Sequence, residues 1–135
     1  MSVNNLIESI QVVLNETLNT KYRCKDVFFR KKINAEDKKL DSLISEYTAY
    51  VQTNLENQKQ LATKGGLNDR QYNQPLLSNI QSEKETVEFL MNSLKDNISS
   101  HHAELSSYSG QIIAFAALIV AIVSLILSLV IRKNF

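Results

Sequence analysis

The sequence is poor in the residues that form disulfides, turns and metal sites. Cys24 is the only cysteine, so no disulfide can form within one chain. One proline and three glycines leave few places where a helix must end, which favours a mainly helical chain. His101 and His102 are the only histidines. Adjacent positions point about 100° apart on a helix, so one chain cannot chelate a metal with both.

Motifs of catalysis and of nucleotide binding are missing as well. Gly65 and Gly66 follow a lysine without the G-x-x-x-x-G-K-[ST] spacing of a phosphate loop. No Ser/His/Asp or Cys/His arrangement can be recognised. Residues 1–110 carry thirteen basic and fourteen acidic side chains, and this near balance disfavours binding to nucleic acid through bulk charge. We therefore expect no enzymatic activity, no cofactor and no nucleic-acid partner.

Residues 112–131, called here the apolar segment, contain no charge, no proline and no glycine. Twenty helical residues cover about 30 Å, which is the thickness of the hydrocarbon core of a bilayer. Fourteen of the twenty are Ile, Leu, Val or Phe, and they favour insertion by roughly 4–8 kcal/mol. The alternative is a buried core helix, which the hydrophilic residues 1–110 would have to surround completely. The apolar segment is therefore predicted to be a transmembrane helix.

The flanks of the apolar segment bear on its orientation. The N-terminal segment contains Glu8 and Glu16 and lacks the basic start of a secretory signal. We therefore expect a C-terminally anchored, single-pass protein with a cytosolic N-terminal region. Arg132 and Lys133 follow the apolar segment whereas only Lys95 precedes it within twenty residues, so the positive-inside rule mildly opposes this orientation. A bacterial inner membrane is expected rather than the membrane of a eukaryotic organelle.

Two helices are predicted in the first half of the chain. The first spans about residues 3–18, with Ser2 as its N-cap. The second begins with Asn34 as its cap and ends near Gly65 and Gly66. Each has apolar residues at helical spacing, which predicts one buried face per helix. The first face is Ile7, Ile10, Leu14 and Leu18, and the second is Leu40, Ile44, Tyr47, Val51 and Leu55.

A third helix is predicted to begin near Pro75 and to run to Ile131, because Gly110 is the only helix-weakening residue between them. Half of this helix would lie in water and half in lipid. The predicted fold is all-α: a small three-helix bundle whose last long helix continues into a single C-terminal transmembrane helix. Its parts are a helical hairpin (1–73), the soluble half of the long helix (74–110), the transmembrane helix (111–131) and a short basic tail (132–135).

Two stripes of residues with a repeat of 3.5 lie on opposite faces of the third helix. The large stripe is Val87, Met91, Leu94, Ile98, His101, Leu105, Tyr108, Ile112, Phe115, Ile119, Ile122, Ile126 and Leu129. The small stripe is Ser93, Asp96, Ser100, Ala103, Ser107, Gly110, Ala114, Ala117, Ala121, Ser124 and Ser128. In water, the large stripe is expected to pack on the first two helices.

The small stripe predicts self-association in the membrane. Small residues let helix backbones approach closely in lipid, and a sustained 3.5-residue repeat suits a left-handed assembly. The alternative is a chance alignment, because Ala and Ser are common in membrane anchors. The residues predicted to face an oligomer interface or a pore are Ser100, Ala103, Ser107, Gly110, Ala114, Ala117, Ala121, Ser124 and Ser128.

The histidines and a basic stretch are two further candidate sites. In an oligomer, His101 or His102 would form a ring that binds a metal or responds to pH, and the alternative is an ordinary interface or surface histidine. Residues 21–32, called here the basic segment, interleave cations with aromatics. This is typical of a surface that contacts anionic lipid or a partner, unless the aromatics enter the core. The patch is Lys21, Arg23, Lys25, Phe28, Phe29, Arg30, Lys31 and Lys32.

Two functions fit these features. The first is a homo-oligomer whose anchors form a ring or pore that permeabilises or depolarises a membrane. Small one-pass effectors of bacterial antiviral and toxin systems share this plan, without a shared motif. The second is a tail-anchored helical adaptor that holds a soluble protein at the membrane. The expected partners are therefore the chain itself, the lipid bilayer and, for the adaptor, a soluble protein.

Overall fold

The computed structural model describes the backbone of residues 2–63 and 67–135 and the side chains of residues 2–60 and 77–135. Within these residues the chain forms three α-helices and one short 3₁₀ helix, and it contains no strand. The elements are α1 (Val3–Asn19), the 3₁₀ helix (Cys24–Val27), α2 (Lys31–Thr63) and α3 (Leu67–Asn134). The predicted fold class, an all-α bundle with one long final helix, is confirmed.

α1 begins at the predicted residue and for the predicted reason. The Asn5 N–H donates to the Ser2 hydroxyl at 3.3 Å, which satisfies one of the free N–H groups of the first turn. Ile10 is fully buried, and Ile7 and Leu14 pack half-buried against the core. Three of the four positions predicted for the apolar face of α1 therefore contact the core.

The last turn of α1 directs Thr17 into the bundle and leaves Leu18 outside. Leu18 is 61% exposed, so its predicted place on the buried face is wrong. The Thr17 hydroxyl donates to the Leu14 carbonyl at 2.9 Å and accepts a hydrogen bond from the Asn97 amide at 2.8 Å. These two bonds allow a hydroxyl to be buried and join α1 to α3.

α2 begins at Lys31, earlier than the sequence predicts. The Asn34 N–H donates to the Arg30 carbonyl at 3.0 Å, so Asn34 already lies in the helix and its prediction as the N-cap is wrong. The predicted stop at Gly65 and Gly66 lies outside the described residues.

The buried face of α2 is also displaced from the predicted one. Ile33 and Leu43 are its most buried apolar residues, and neither belongs to the predicted face. Leu55 is 52% exposed, so the predicted face extends too far toward the end of α2. The predicted residues that do pack against the core are Leu40, Ile44 and Tyr47.

α3 is one continuous helix that passes through Gly110 and begins at Leu67, ahead of the predicted start near Pro75. Its 68 residues extend over about 100 Å. In the soluble half of α3, the large stripe is buried against the rest of the bundle, as predicted. The buried members are Val87, Met91, Leu94, Ile98, His101 and Leu105.

The core consists of two apolar clusters arranged along α3. The larger cluster contains Leu6, Ile10, Leu43, Val87, Met91, Leu94 and Ile98. The smaller cluster contains Tyr22, Ile33 and Leu105, with Val27 and Tyr108 packed against it. Because Leu105 and Tyr108 come shortly before the apolar segment, the smaller cluster marks the end of the bundle nearest that segment, called here the proximal end.

The apolar segment extends beyond the bundle without any cover from it. Among the described residues, α3 is the one helix that is long and apolar enough to cross a membrane, by length and composition. Its most apolar window has a mean hydropathy of 3.0, and none of that window is buried inside the protein. The apolar segment is therefore not a core helix of this chain, and its exposure fits association with a membrane.

Candidate functional site

The proximal end of the bundle contains two acid–histidine pairs between α2 and α3. His101 Nδ1 lies 2.8 Å from Glu36 Oε2, and these side chains are only 10% and 7% exposed. His102 Nε2 lies 2.8 Å from Asp37 Oδ1, and these side chains are 41% and 40% exposed. Consecutive acids on α2 thus meet consecutive histidines on α3. The outer pair is partly solvated and the inner pair is buried, so the inner contact is the more sensitive to loss of either partner.

These pairs give both histidines a partner within one chain. His101 belongs to the large stripe, which lies opposite the small stripe on α3. A ring of His101 side chains in an oligomer would therefore require the contact with Glu36 to break. Among the described residues, no group of three or more His, Cys, Asp or Glu side chains is placed to hold a metal ion. The predicted ring of histidines from several chains stays a prediction, and this arrangement does not favour it.

Glu36 and Asp37 were not predicted from the sequence as histidine partners. Each acid lies 65 residues from its histidine, a separation at which no local pattern connects them. A signal was nevertheless present, because a pair of adjacent acids on one predicted helix matches a pair of adjacent histidines on another. Only the antiparallel register of α2 and α3 shows that the two pairs meet.

Tyr22 completes the buried part of this proximal cluster. The Tyr22 and His101 ring centroids lie 4.8 Å apart, with an angle of 53° between the ring planes. Burial, together with the negative charge of Glu36, raises the pKa of the Tyr22 hydroxyl. Neither the Tyr22 hydroxyl nor Glu36 Oε1 has a hydrogen-bond partner within the described part of the chain. The cluster therefore contains polar atoms whose burial carries a free-energy cost.

The basic segment contains the 3₁₀ helix and the first residues of α2, and Asp26 holds it in shape. The Arg23 N–H donates to Asp26 Oδ2 at 2.7 Å, and Lys32 Nζ lies 3.6 Å from the same oxygen. The Arg23 hydrogen bond, helped by the Lys32 charge, lowers the pKa of Asp26. Lys32 Nζ also donates to the Lys21 carbonyl at 3.1 Å and so ties one end of the basic segment to the other.

The aromatic residues of the basic segment divide between the core and the surface. Tyr22 is buried in the smaller cluster, whereas Phe28 and Phe29 are 71% and 68% exposed. The interpretation that the aromatics enter the core therefore holds for Tyr22 and fails for Phe28 and Phe29. All six cationic residues of the patch are exposed, and these are Lys21, Arg23, Lys25, Arg30, Lys31 and Lys32.

The small stripe is the uncovered face of α3 in the soluble half. A Cβ atom added to Gly110 would meet no other atom within 4 Å. Phe89 lies four residues before Ser93 along the same stripe and is 70% exposed, which was not predicted from the sequence. Ser93 is half-buried, and the exposed members are Asp96, Ser100, Ala103, Ser107 and Gly110.

At the other end of the bundle, a groove of about 430 Å³ lies between the start of α1 and the facing parts of α2 and α3. Its floor includes Asn54, which is 6% exposed and donates from Nδ2 to the Tyr50 hydroxyl at 3.1 Å. Among the described residues, Asn54 Oδ1 and the buried Glu46 Oε2 accept no hydrogen bond. This groove could not be predicted from the sequence, because its walls come from three separate helices.

Comparison of the chain with protein-family models, with curated proteins and with solved structures finds no match. Its function must therefore be inferred from its own residues and geometry. Three surfaces are available for that purpose: the uncovered small stripe, the basic segment at the proximal end and the groove at the opposite end.

Proposed function

We propose that the chain is a self-associating, single-pass membrane protein whose apolar segments gather into a ring or bundle. The observation that carries this proposal is the different use of the two faces of α3. The large stripe is buried by α1 and α2 within one chain, whereas the small stripe is left open. A face with a regular 3.5-residue repeat that the described residues leave uncovered is suited to packing against another copy.

Within lipid, the two stripes differ in what they gain from a neighbour. The large stripe needs no protein partner there, because lipid tails are as apolar as Ile or Leu. The small stripe allows helix backbones to come close, which increases van der Waals contact between helices. Gly110 stands where the soluble and apolar halves meet and has open space around it. One interface can therefore continue from water into lipid along a single face of α3.

With about five or more chains, a ring of such helices would enclose a lumen. Ser124 and Ser128 would then present hydroxyl groups to that lumen, and the soluble bundles would surround its entrance. Such an assembly would pass ions and depolarise the membrane. The orientation we propose places the bundle in the cytosol, at a bacterial inner membrane.

Substitution of the small stripe within the apolar segment tests this proposal. Ala117→Leu with Ala121→Leu adds bulk to the stripe at two positions one turn apart. Ala116→Leu with Val120→Leu adds bulk at the same depth on a neighbouring face and is the matched control. The mass of each variant in nanodiscs, measured by light scattering, reports the number of chains.

We expect the Ala117/Ala121 variant to lose its oligomers and the Ala116/Val120 variant to keep them. Oligomers of unchanged size in the Ala117/Ala121 variant would contradict an interface at the small stripe. Where oligomers form, ion flux across liposomes distinguishes a conducting ring from a closed bundle. A discrete oligomer without flux would leave self-association intact and remove the pore.

The groove favours a second candidate function, an adaptor that holds a soluble protein at the membrane. Its buried acceptors Asn54 Oδ1 and Glu46 Oε2 would accept hydrogen bonds from the backbone N–H groups of a bound polypeptide. The adaptor needs no defined oligomer, so an unrelated apolar helix in place of residues 112–131 should preserve it. The same replacement should abolish the ring.

A further inference from the structure

We propose that the basic segment is a lipid-binding surface. Phe28 and Phe29 would insert into the interface of the leaflet that faces the bundle, while the surrounding cations bind anionic phospholipid head groups. The bundle would thus be held directly against the membrane rather than swinging on α3. This inference rests on the membrane placement of the apolar segment and not on self-association, so the two proposals can fail separately.

The antiparallel register of α2 and α3 puts the basic segment beside the start of the apolar segment. Ile33 packs with Leu105 in the smaller cluster, and Glu36 pairs with His101. Val27, the residue before Phe28, packs with Tyr108 against the same smaller cluster, and Tyr108 lies about one helical turn before Ile112. Phe28 and Phe29 directly follow Val27 and therefore lie near the start of the apolar segment, where the head groups of a bilayer would begin.

The positive charge of residues 1–110 is concentrated in the basic segment. Residues 21–32 carry six of the thirteen basic side chains of residues 1–110 but only one of the fourteen acidic ones. That acid is Asp26, which is 4% exposed and held by Arg23 and Lys32. The surface of the basic segment is therefore cationic, while the rest of the soluble region is acidic. This polarity matches an anionic leaflet at the proximal end.

The two phenylalanines supply the second requirement of an interfacial site. Both are about 70% exposed although they adjoin a formed core cluster, so their exposure is built into the fold. Tyr22 and Asp26 fix the loop that carries them, so little conformational freedom would be lost when the loop binds. Aromatic side chains flanked by Lys and Arg are characteristic of segments that lie in the membrane interface.

The absence of tryptophan makes the test direct, because one substitution installs a unique fluorophore. The full chain would be reconstituted as Phe28→Trp or Phe29→Trp in vesicles of neutral phospholipid, with or without anionic phospholipid. Leu55→Trp is the control, since Leu55 is also more than half exposed but lies on α2 about 28 Å from Glu36, toward the opposite end of the bundle. Phe115→Trp reports insertion of the apolar segment itself.

In anionic vesicles that contain lipid brominated near the head group, we expect Phe28→Trp to lose roughly half of its emission and to shift toward shorter wavelength. Leu55→Trp should show neither change. Arg30→Gln with Lys31→Gln should weaken the effect on the residue 28 probe, whereas Lys38→Gln with Lys95→Gln, which removes the same charge farther away, should not.

Three outcomes would overturn the inference. The first is that the residue 28 and 29 probes remain as exposed as the residue 55 probe in both kinds of vesicle. The second is that soluble polyglutamate shifts their emission and lipid does not, because the surface would then bind an acidic macromolecule. The third is that the residue 115 probe shows no quenching, because the apolar segment would then not lie in the membrane. The mass of the assembly, measured on the same samples, decides self-association independently.

Discussion

His101 Nδ1 and Glu36 Oε2 lie 2.8 Å apart across the contact between α2 and α3, beside the ring of Tyr22. This buried contact fixes the register of the two helices at the proximal end. The register in turn sets the height of the basic segment relative to the apolar segment. A polar pair inside the bundle thus helps to position the basic segment relative to the apolar segment.

Loss of His101 should destabilise the bundle more than loss of His102. His101→Ala leaves the Glu36 carboxyl group buried without its partner, which we expect to lower the free energy of unfolding by about 2–4 kcal/mol. His102→Ala breaks a half-exposed pair and should cost less than about 1 kcal/mol. Urea unfolding of the purified chain in detergent, followed by circular dichroism, gives both values. Equal losses in the two variants would show that the inner pair has no special role.

The effect of Asp26 on stability should disappear in acid. Because the folded state lowers the pKa of Asp26, its carboxylate stabilises the fold above the unfolded pKa of about 3.9 and loses that effect as pH falls. Asp26→Asn should therefore lower the melting temperature at pH 7, and the difference from the unsubstituted chain should narrow below about pH 4. Asp41→Asn, at an exposed position, is the control. A difference that stays constant with pH would contradict the assigned hydrogen bond to Arg23.

The Tyr22 hydroxyl should contribute little to the stability of the fold at neutral pH and should destabilise it at alkaline pH. It is buried without a hydrogen-bond partner among the described residues, so Tyr22→Phe should change the free energy of unfolding by less than about 1 kcal/mol. Tyr22→Ala, which removes the ring, should cost about 3–5 kcal/mol.

The raised pKa of Tyr22 also predicts how the unsubstituted chain and the Tyr22→Phe chain differ in their dependence on pH. The folded state favours the neutral hydroxyl, so the unsubstituted chain should lose stability as pH rises above about 10, the usual value for tyrosine. Tyr22→Phe should be spared that part of the loss, as urea unfolding at neutral and alkaline pH would show. A Tyr22→Phe chain as unstable at neutral pH as Tyr22→Ala would mean that the hydroxyl is bonded.

If the small stripe is one interface on both sides of the membrane boundary, a charge in its soluble half should also weaken assembly. Ser107→Glu places a carboxylate on the stripe, next to Gly110. Ser106→Glu places the same charge one residue away, at an exposed position off the stripe. Cross-linking in vesicles should show fewer oligomers for Ser107→Glu alone. Equal yields from both variants would confine the interface to the apolar segment.

Where periodicity alone decides the structure, the sequence predicted it well. The large stripe of α3 is buried in its soluble half because its 3.5-residue repeat is long enough to outweigh local exceptions. The Ser2 cap was predictable because its hydrogen bond to Asn5 is local. The exposure of the apolar segment outside the bundle was predictable from its length and composition, without any tertiary contact.

What the sequence could not predict depends on partners distant along the chain. Thr17 displaces Leu18 from the core because the amide of Asn97, 80 residues away, satisfies its hydroxyl. Glu36 meets His101 only in one register of α2 against α3, a register that no local pattern specifies. For the same reason, the sequence could not decide whether the aromatics of the basic segment lie at the surface or in the core. The surroundings of Phe28 and Phe29 are created by the fold.

The central claim, that the uncovered small stripe joins copies of this chain, is tested most directly by the mass of the unsubstituted protein in nanodiscs. Light scattering, corrected for lipid and scaffold, gives the number of chains in each particle. We expect a discrete assembly of about five or more chains, enough to surround a lumen. A monomer or dimer would contradict the ring and leave the small stripe as a lipid-facing surface of a membrane-anchored bundle.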